Sequence, residues 1–149
     1  MLKAENIMTT EVIVVAPQTG LKELAALFQQ HNVSSMPVVN DQDDLVGIIT
    51  TTDLIDCDKT LHIPTVISIF DWVLYLESEK NFEEQVRRIS AQTVAEICTT
   101  DVVTCSAQTT VTEVAELMVQ HKVHLIPVVD NSKVIGVIAR LDIIRAVGV

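Results

Sequence analysis

The chain is poor in aromatic and in basic residues. Phe, Trp and Tyr make up 3% of its 149 residues, too few for the rings on which proteins stack the bases of single-stranded nucleic acid. Ten Lys and Arg stand against twenty Asp and Glu, for a net charge of −10, and only Arg87 and Arg88 are adjacent. The chain therefore lacks the basic stripe of a DNA- or RNA-binding surface, and we predict no nucleic-acid partner.

Long apolar runs are also missing. The longest apolar-rich stretch, residues 63–76, has 14 residues and contains Asp71, whereas a helix needs about 20 apolar residues to span a bilayer. The first ten residues, MLKAENIMTT, lack the apolar segment of a signal peptide. We therefore predict a cytoplasmic protein with no membrane partner.

Cysteine is scarce and irregularly spaced. Cys57, Cys98 and Cys105 are odd in number and form no CxxC pair, which argues against a disulfide framework and against a zinc site. The histidines show no metal-ligand spacing either. We predict reduced thiols and no metal site.

What the sequence does contain is an internal repeat. Residues 7–39 align with residues 97–129 with 15 of 33 positions identical, and residues 45–55 align with 134–144 with 4 of 11 identical. Self-similarity of this kind indicates tandem structural units. A hydrophobic share of 48% excludes disorder, so both units are expected to be folded.

Each repeat predicts the same order of elements. In the first repeat, the β-branched run at residues 12–15 predicts a short strand. Apolar residues at i, i+3, i+4 and i+7 from Leu21 predict an amphipathic helix with Thr19 as its N-cap. Pro37 then opens a strand, an Asn- and Asp-rich turn follows, and a returning strand leads into a second helix near Asp53.

The second repeat has the same pattern, with Thr109 as the matching N-cap. Because a sheet with one apolar face needs a covering layer, the predicted fold class is α+β: two tandem β-α-β-β-α repeats packed sheet to sheet with pseudo-twofold symmetry. The predicted domains are repeat 1 at residues 1–56, a helical linker or insertion at 57–92, and repeat 2 at 93–149. Apolar residues cover nearly all sides of the predicted helix within residues 63–76, so this segment is predicted to be a dimer or partner surface.

The motifs IMTTEV, HNVSSMPVVN and LVGIITTTDLI, with their counterparts ICTTDV, HKVHLIPVVD and VIGVIARLDII, resemble a pair of cystathionine-β-synthase (CBS) domains, also called a Bateman module. This resemblance implies a regulatory, energy-sensing protein that requires no cofactor. It implies that an adenosine-containing ligand (AMP, ADP, ATP or S-adenosylmethionine) binds in clefts between the repeats. It further implies a homodimer and an effector protein regulated in trans.

The chemistry of the residues supports a nucleotide site where the returning strand turns into the second helix. Thr50 and Asp53 are three residues apart, which places both side chains on one side of the first helical turn. The free N–H groups of a helix N-terminus suit a phosphate. The Thr50 hydroxyl is able to donate to that phosphate, and the Asp53 carboxylate suits the two hydroxyls of a ribose. The alternative is that Asp53 only caps the helix.

The resemblance places the adenine in an apolar slot formed by the start of the first strand, the segment before the proline and the returning strand. The matching positions in repeat 1 are Thr9, Val12, Ser35, Met36 and Ile48. The matching positions in repeat 2 are Thr99, Val102, Leu125, Ile126 and Val137. For the valines and Ile48, an ordinary place in the core is an equal alternative.

The turn from the returning strand into the second helix differs between the two repeats. Ala139 stands in the place of Thr50, so the hydroxyl is missing. Arg140 replaces Thr51 and is predicted to contact phosphate instead, while Asp142 keeps the ribose role. The two sites are therefore predicted to differ in affinity. The first site, with no basic residue in its motif, is predicted to disfavour a triphosphate.

The histidines receive separate roles. His124 lies beside the predicted adenine slot and is a candidate ligand contact. His31 and His121 end the first helix of each repeat, where a cation is favoured, so we predict that they cap those helices.

A ligand-sensing module is the favoured function. A ligand-free scaffold for dimerisation or interaction is the alternative, because the second corner has lost its hydroxyl. Catalysis is not favoured, since the sequence shows no nucleophile–base pair, metal cluster or Walker-type loop.

Overall fold

Two copies of one small unit make up the part of the chain that the structure describes. The computed structural model describes residues 1–60 and 92–148, without the side chains of residues 57–60. The predicted linker helix and the partner surface at residues 63–76 lie outside the described residues. In the first copy the elements are α1 (Ala4–Ile7), α2 (Leu21–His31), β1 (Ser35–Val39), β2 (Leu45–Thr50) and α3 (Thr51–Thr60). In the second copy they are α4 (Val94–Ile97), α5 (Val111–His121), β3 (Leu125–Asp130), β4 (Lys133–Ala139) and α6 (Arg140–Ala146).

The amphipathic helices α2 and α5 form where the apolar spacing predicts them. Their buried stripes consist of Leu21, Leu24 and Phe28 in α2 and of Val111, Val114 and Met118 in α5. Both helices begin one residue later than predicted. Gly20 is the N-cap of α2, and Thr110, whose hydroxyl accepts a hydrogen bond from the Glu113 N–H, is the N-cap of α5.

The C-caps of these helices also lie one residue later than predicted. The residue that closes each helix is the left-handed one that follows the histidine, Asn32 with φ 51° and Lys122 with φ 55°. Their backbone N–H groups donate to Phe28 and Met118. His31 and His121 are instead the last helical residues, where a cation is favourable to the helix dipole.

Each repeat contains an antiparallel hairpin, β1–β2 or β3–β4, with a bulge directly after its Pro-Val pair. The predicted turns are confirmed. The Asn40 side-chain oxygen accepts hydrogen bonds from the N–H groups of Gln42 and Asp44, both at 3.0 Å. The tips of the two hairpins meet, because Leu45 donates to the Ser132 carbonyl at 2.8 Å and Lys133 pairs with Asp44 at 2.7 Å.

The first predicted strand of each repeat is much shorter than expected. Only one residue of each β-branched run pairs with the sheet: Val15 bridges Val38, and Cys105 bridges Val128, both in parallel. The β-branched residues favour extended backbone, but in the first run the Val12 N–H donates to the Thr10 carbonyl at 3.1 Å, so the chain turns there.

The segment before each strand crosses to the other repeat, which the sequence did not predict. Thr9 exchanges two backbone hydrogen bonds with Val137 of β4, at 2.9 and 3.0 Å. Thr99 does the same with Ile48 of β2, at 2.8 and 2.9 Å. The short helices α1 and α4 also pack against the other repeat, since Ala4 is buried in the second core and Val94 in the first. The two repeats are therefore joined by backbone pairing at two places.

Each repeat has its own hydrophobic core. The first core is built from the buried residues Val15, Leu21, Leu24, Phe28, Met36, Val38, Ile49 and Val94. The second is built from Ala4, Cys105, Val114, Met118, Ile126, Val128 and Ile138. In the part of the chain that the structure describes, no helix is both long and apolar enough to cross a bilayer.

Cys98 and Cys105 are free thiols. Burial raises the pKa of the Cys105 thiol to about 11. Burial also raises the pKa of Cys98, and the negative charge of Asp53 adds to the shift.

The raised pKa of the Cys105 thiol leads us to expect that the protein loses stability at alkaline pH. Between about pH 9 and 11 the folded state retains a proton that the unfolded chain releases, so the free energy of unfolding falls as the pH rises through this range. Cys105→Val, which copies Val15 of the first repeat, should flatten this part of the profile. Urea unfolding of both proteins from pH 8 to 11 measures the difference. Parallel profiles would show that Cys105 does not contribute.

Candidate functional site

Two clefts lie between the repeats, one at each strand-to-helix corner. The first cleft contains Asp53 and has a volume of about 300 Å³. The second contains Asp142 and has a volume of about 320 Å³. Both are at the small end of the range for small-molecule sites.

The structure brings most of the predicted site residues to these clefts. Those that line the first cleft are Ser35, Ile48, Thr50, Asp53, Thr99, Val102, His124 and Leu125. Those that line the second are Thr9, Val12, Ser35, His124, Leu125, Val137 and Asp142.

The grouping of these residues by repeat is corrected by the fold. Thr9 and Val12 of the first repeat line the cleft of Asp142, while Thr99 and Val102 of the second line the cleft of Asp53. The reason is the crossing of the two segments, which pairs Thr9 with Val137 rather than with a residue of its own repeat. Each cleft therefore has walls from both repeats.

Met36 and Ile126 contribute no side chain to either cleft. Both are fully buried, Met36 in the first core and Ile126 in the second. Successive strand residues point to opposite faces, so the neighbours Ser35 and Leu125 line the clefts while these two face the cores. This corrects the prediction as far as their side chains are concerned.

Arg140 also lies elsewhere than predicted. It lines a third cavity of about 440 Å³, next to Met118, Val119 and Ile144, and not the second cleft. Arg140 is the first residue of α6 and Asp142 the third, and residues two apart on a helix do not face the same side. Among the described residues, the one Lys or Arg that lines either cleft is instead Lys122, in the first.

The first corner is held by two reciprocal hydrogen bonds. The Thr50 N–H donates to Asp53 Oδ2 at 2.9 Å, and the Asp53 N–H donates to Thr50 Oγ1 at 3.1 Å. This is a capping box at the start of α3, so Asp53 does cap the helix. The cap uses only Oδ2, and no described residue donates to Oδ1. The Thr50 hydroxyl proton is likewise not used by the cap, because Oγ1 is the acceptor.

The second corner keeps half of this arrangement. The Ala139 N–H donates to Asp142 Oδ2 at 2.8 Å, but Ala139 has no hydroxyl to return a bond. Asp142 Oδ1 lies 3.9 Å from an Arg145 guanidinium nitrogen. The second corner therefore keeps the carboxylate and loses the hydroxyl that caps α3 in the first corner.

Several residues that line the clefts were missed. Thr51, Thr52, Asp101 and Lys122 join the first cleft, and Glu11 joins the second. The repeat could have identified Glu11 and Asp101, since both are acidic and lie at equivalent positions, two residues after Thr9 and Thr99. Lys122 had no such signal because its counterpart is Asn32.

The two clefts adjoin one another. Four residues line both of them: Ser34, Ser35, His124 and Leu125. The Ser34 backbone carbonyl also accepts a hydrogen bond from the Thr51 N–H at 3.0 Å, which ties the residue before β1 to the start of α3. His124, an exposed residue, thus lies beside both predicted sites.

Comparison with known families agrees with this arrangement. The CBS domain model matches the chain twice, at residues 4–59 and 94–149. The chain belongs to the CBS domain family. The two matches correspond to the two copies of the unit seen in the fold.

Individual relatives cover nearly the whole CBS pair. The CBS domain-containing protein YhcV of Bacillus subtilis is 27% identical over 143 residues, covering 96% of this chain and 84% of its own. The crystal structure of CBSX2 in complex with AMP has a TM-score of 0.75 at 23% identity, covering 99% of this chain and 96% of that chain; CBSX2 is a protein of Arabidopsis thaliana. The CBS domain pair of protein MJ0100, in complex with 5-methylthioadenosine and S-adenosyl-L-methionine, has a TM-score of 0.71 at 23% identity, covering 99% of this chain and 97% of that chain.

Proposed function

We propose that this CBS pair is a regulatory module that senses adenosine-containing ligands, with AMP as the ligand of the first cleft. The proposal rests on the geometry of the first corner, where Thr50 and Asp53 cap α3. One carboxylate oxygen and one hydroxyl proton remain for a ligand there, at the start of a ten-residue helix. CBS pairs of the same fold contain AMP in one case and methylthioadenosine with S-adenosylmethionine in another, which supports this class of ligand.

The first cleft offers a partner for each part of AMP. Ile48, Val102 and Leu125 supply apolar walls for the adenine. Asp53 Oδ1 suits the ribose hydroxyls, because a carboxylate only accepts hydrogen bonds. The phosphate is placed at the start of α3, where the helix dipole favours an anion.

The same cleft favours a monophosphate over a triphosphate. The phosphate end has three hydroxyls, on Thr50, Thr51 and Thr52, but Lys122 is the one Lys or Arg among the described residues that line it. Asp53 and Asp101 already bring two negative charges, and the chain as a whole carries −10. A more highly charged ligand gains little attraction and meets more repulsion.

Regulation follows from the position of the clefts. A ligand in the first cleft contacts Asp53 of one repeat and Val102 of the other, so it stabilises the arrangement of the repeats that it fits best. Because Ser35 and His124 line both clefts, occupancy of one cleft also alters the walls of the other. We propose that the resulting change is transmitted to an effector protein in trans by a homodimer in the cytoplasm, without catalysis.

Binding of AMP to the purified chain tests this function. Since a ligand that binds only the folded state raises its stability, AMP at 100 times its Kd should add about 2.7 kcal/mol to the free energy of unfolding. Thermal unfolding with AMP, ADP, ATP and GMP measures this, and AMP should give the largest shift. No shift with any adenosine compound would favour the ligand-free scaffold. Conversion of AMP, detected by chromatography after incubation, would favour an enzyme.

A further inference from the structure

The second cleft lacks the groups that we propose to hold a phosphate in the first. The three hydroxyls of the first corner are replaced by Ala139, Arg140 and Leu141, and Arg140 lines the third cavity instead. No Lys or Arg is found among the described residues that line the second cleft. Its charged lining residues are Glu11 and Asp142, both negative.

The ion pair of the Asp142 carboxylate is long. The Asp142 side chain is 15% exposed, and the partner at 3.9 Å, Arg145, is 72% exposed. An ion pair this long with a solvated arginine is weak. A phosphate in this cleft would face two carboxylates and no Lys or Arg from the described part of the chain, and like charges repel.

The groups that would hold adenine and ribose are, by contrast, equivalent in the two clefts. Val12 takes the place of Val102, and Val137 takes the place of Ile48. Asp142 and Asp53 accept the same backbone hydrogen bond through Oδ2. The clefts therefore differ at the end that would meet the 5′ substituent of a nucleoside.

We propose, building on the function above, that the second cleft binds an adenosine derivative that carries no phosphate. Its 5′ substituent is neutral or positively charged, such as a thioether or a sulfonium. The pair thus recognises two different ligands, AMP in the first cleft and a phosphate-free adenosine compound in the second.

Calorimetry on the unmodified chain tests this selectivity without any substitution. AMP should saturate at one molecule per chain. The AMP-saturated protein should still bind S-adenosylmethionine or methylthioadenosine. Two AMP molecules bound per chain with similar affinity would overturn the inference and leave the proposed function standing. No binding of any adenosine compound would overturn both.

Two matched variants assign the ligands to their clefts. Val102→Trp fills the first cleft and Val12→Trp the second, at equivalent positions of the repeats. We expect Val102→Trp to bind methylthioadenosine about tenfold or more tightly than AMP, and Val12→Trp to retain AMP binding. Equal affinities for AMP and methylthioadenosine in Val102→Trp would contradict the inference.

A graft of the first corner provides the converse test. Ala139→Thr, Arg140→Thr and Leu141→Thr together, in the Val102→Trp background, copy the first corner into the second. This variant should gain about tenfold or more in AMP affinity. An unchanged AMP affinity in a variant that still melts cooperatively would show that the corner does not decide the selectivity.

Discussion

Asp53→Asn is expected to lower the affinity of the first cleft for AMP by about 10- to 100-fold, which is the loss of one charge-assisted hydrogen bond of about 1.5–3 kcal/mol. An asparagine has a single side-chain oxygen, and the helix cap already uses one oxygen of Asp53 to accept from the Thr50 N–H. The amide nitrogen would then face the ribose and cannot accept a hydrogen bond from it. Calorimetry with AMP measures the loss.

The control for this substitution is built into the repeat. Asp142→Asn alters the equivalent cap, in which Asp142 accepts from the Ala139 N–H at 2.8 Å, but it lies in the other cleft. It should leave AMP binding unchanged while having a similar effect on the melting temperature. Equal loss of AMP affinity in both variants would mean that the carboxylates act on stability alone, and that Asp53 does not hold the ribose.

Elements with a strong local pattern could be predicted from the sequence. The stripe of Leu21, Leu24 and Phe28 determines one face of a helix, whatever that face is packed against. The returning strand at Leu45–Thr50 has its predicted bounds, because an Asn- and Asp-rich turn precedes it and a capping box follows it. Both signals depend on residues within a few positions of one another.

The composition of each cleft could not be predicted in this way. An alignment of the repeats shows that Thr9 and Thr99 are equivalent, but it does not show which repeat each one contacts. That choice depends on long-range pairing, Thr9 with Val137 and Thr99 with Ile48. The direction of Arg140 depends in turn on the residue at which α6 begins, and helix ends are the least regular part of the pattern.

The crossing itself leads to a prediction with a large effect on stability. Gly47 lies where the segment at residues 92–99 passes over β2. A Cβ atom on Gly47 would lie 2.9 Å from Cys98 Sγ and 2.9 Å from the Thr99 carbonyl oxygen. That carbonyl is held by its hydrogen bond from the Ile48 N–H at 2.8 Å, so it cannot move away without breaking the pairing. Gly47→Ala should cost about 3 kcal/mol, the upper end for overpacking, as measured by urea unfolding.

Gly136, the equivalent glycine of the second repeat, allows crowding against a side chain to be distinguished from crowding against the backbone. A Cβ atom on Gly136 would lie 2.5 Å from Met8 Sδ and 2.8 Å from Met8 Cγ, and both belong to a flexible side chain. Adding Met8→Ala to Gly136→Ala should therefore recover part of the lost stability, whereas adding Cys98→Ala to Gly47→Ala should recover little. Full recovery in the Cys98→Ala pair would place the constraint in the thiol rather than in the backbone pairing.

Because Thr99 and Val102 line the first cleft, a Gly47→Ala protein with displaced pairing should also bind AMP more weakly, while Gly136→Ala should spare that cleft.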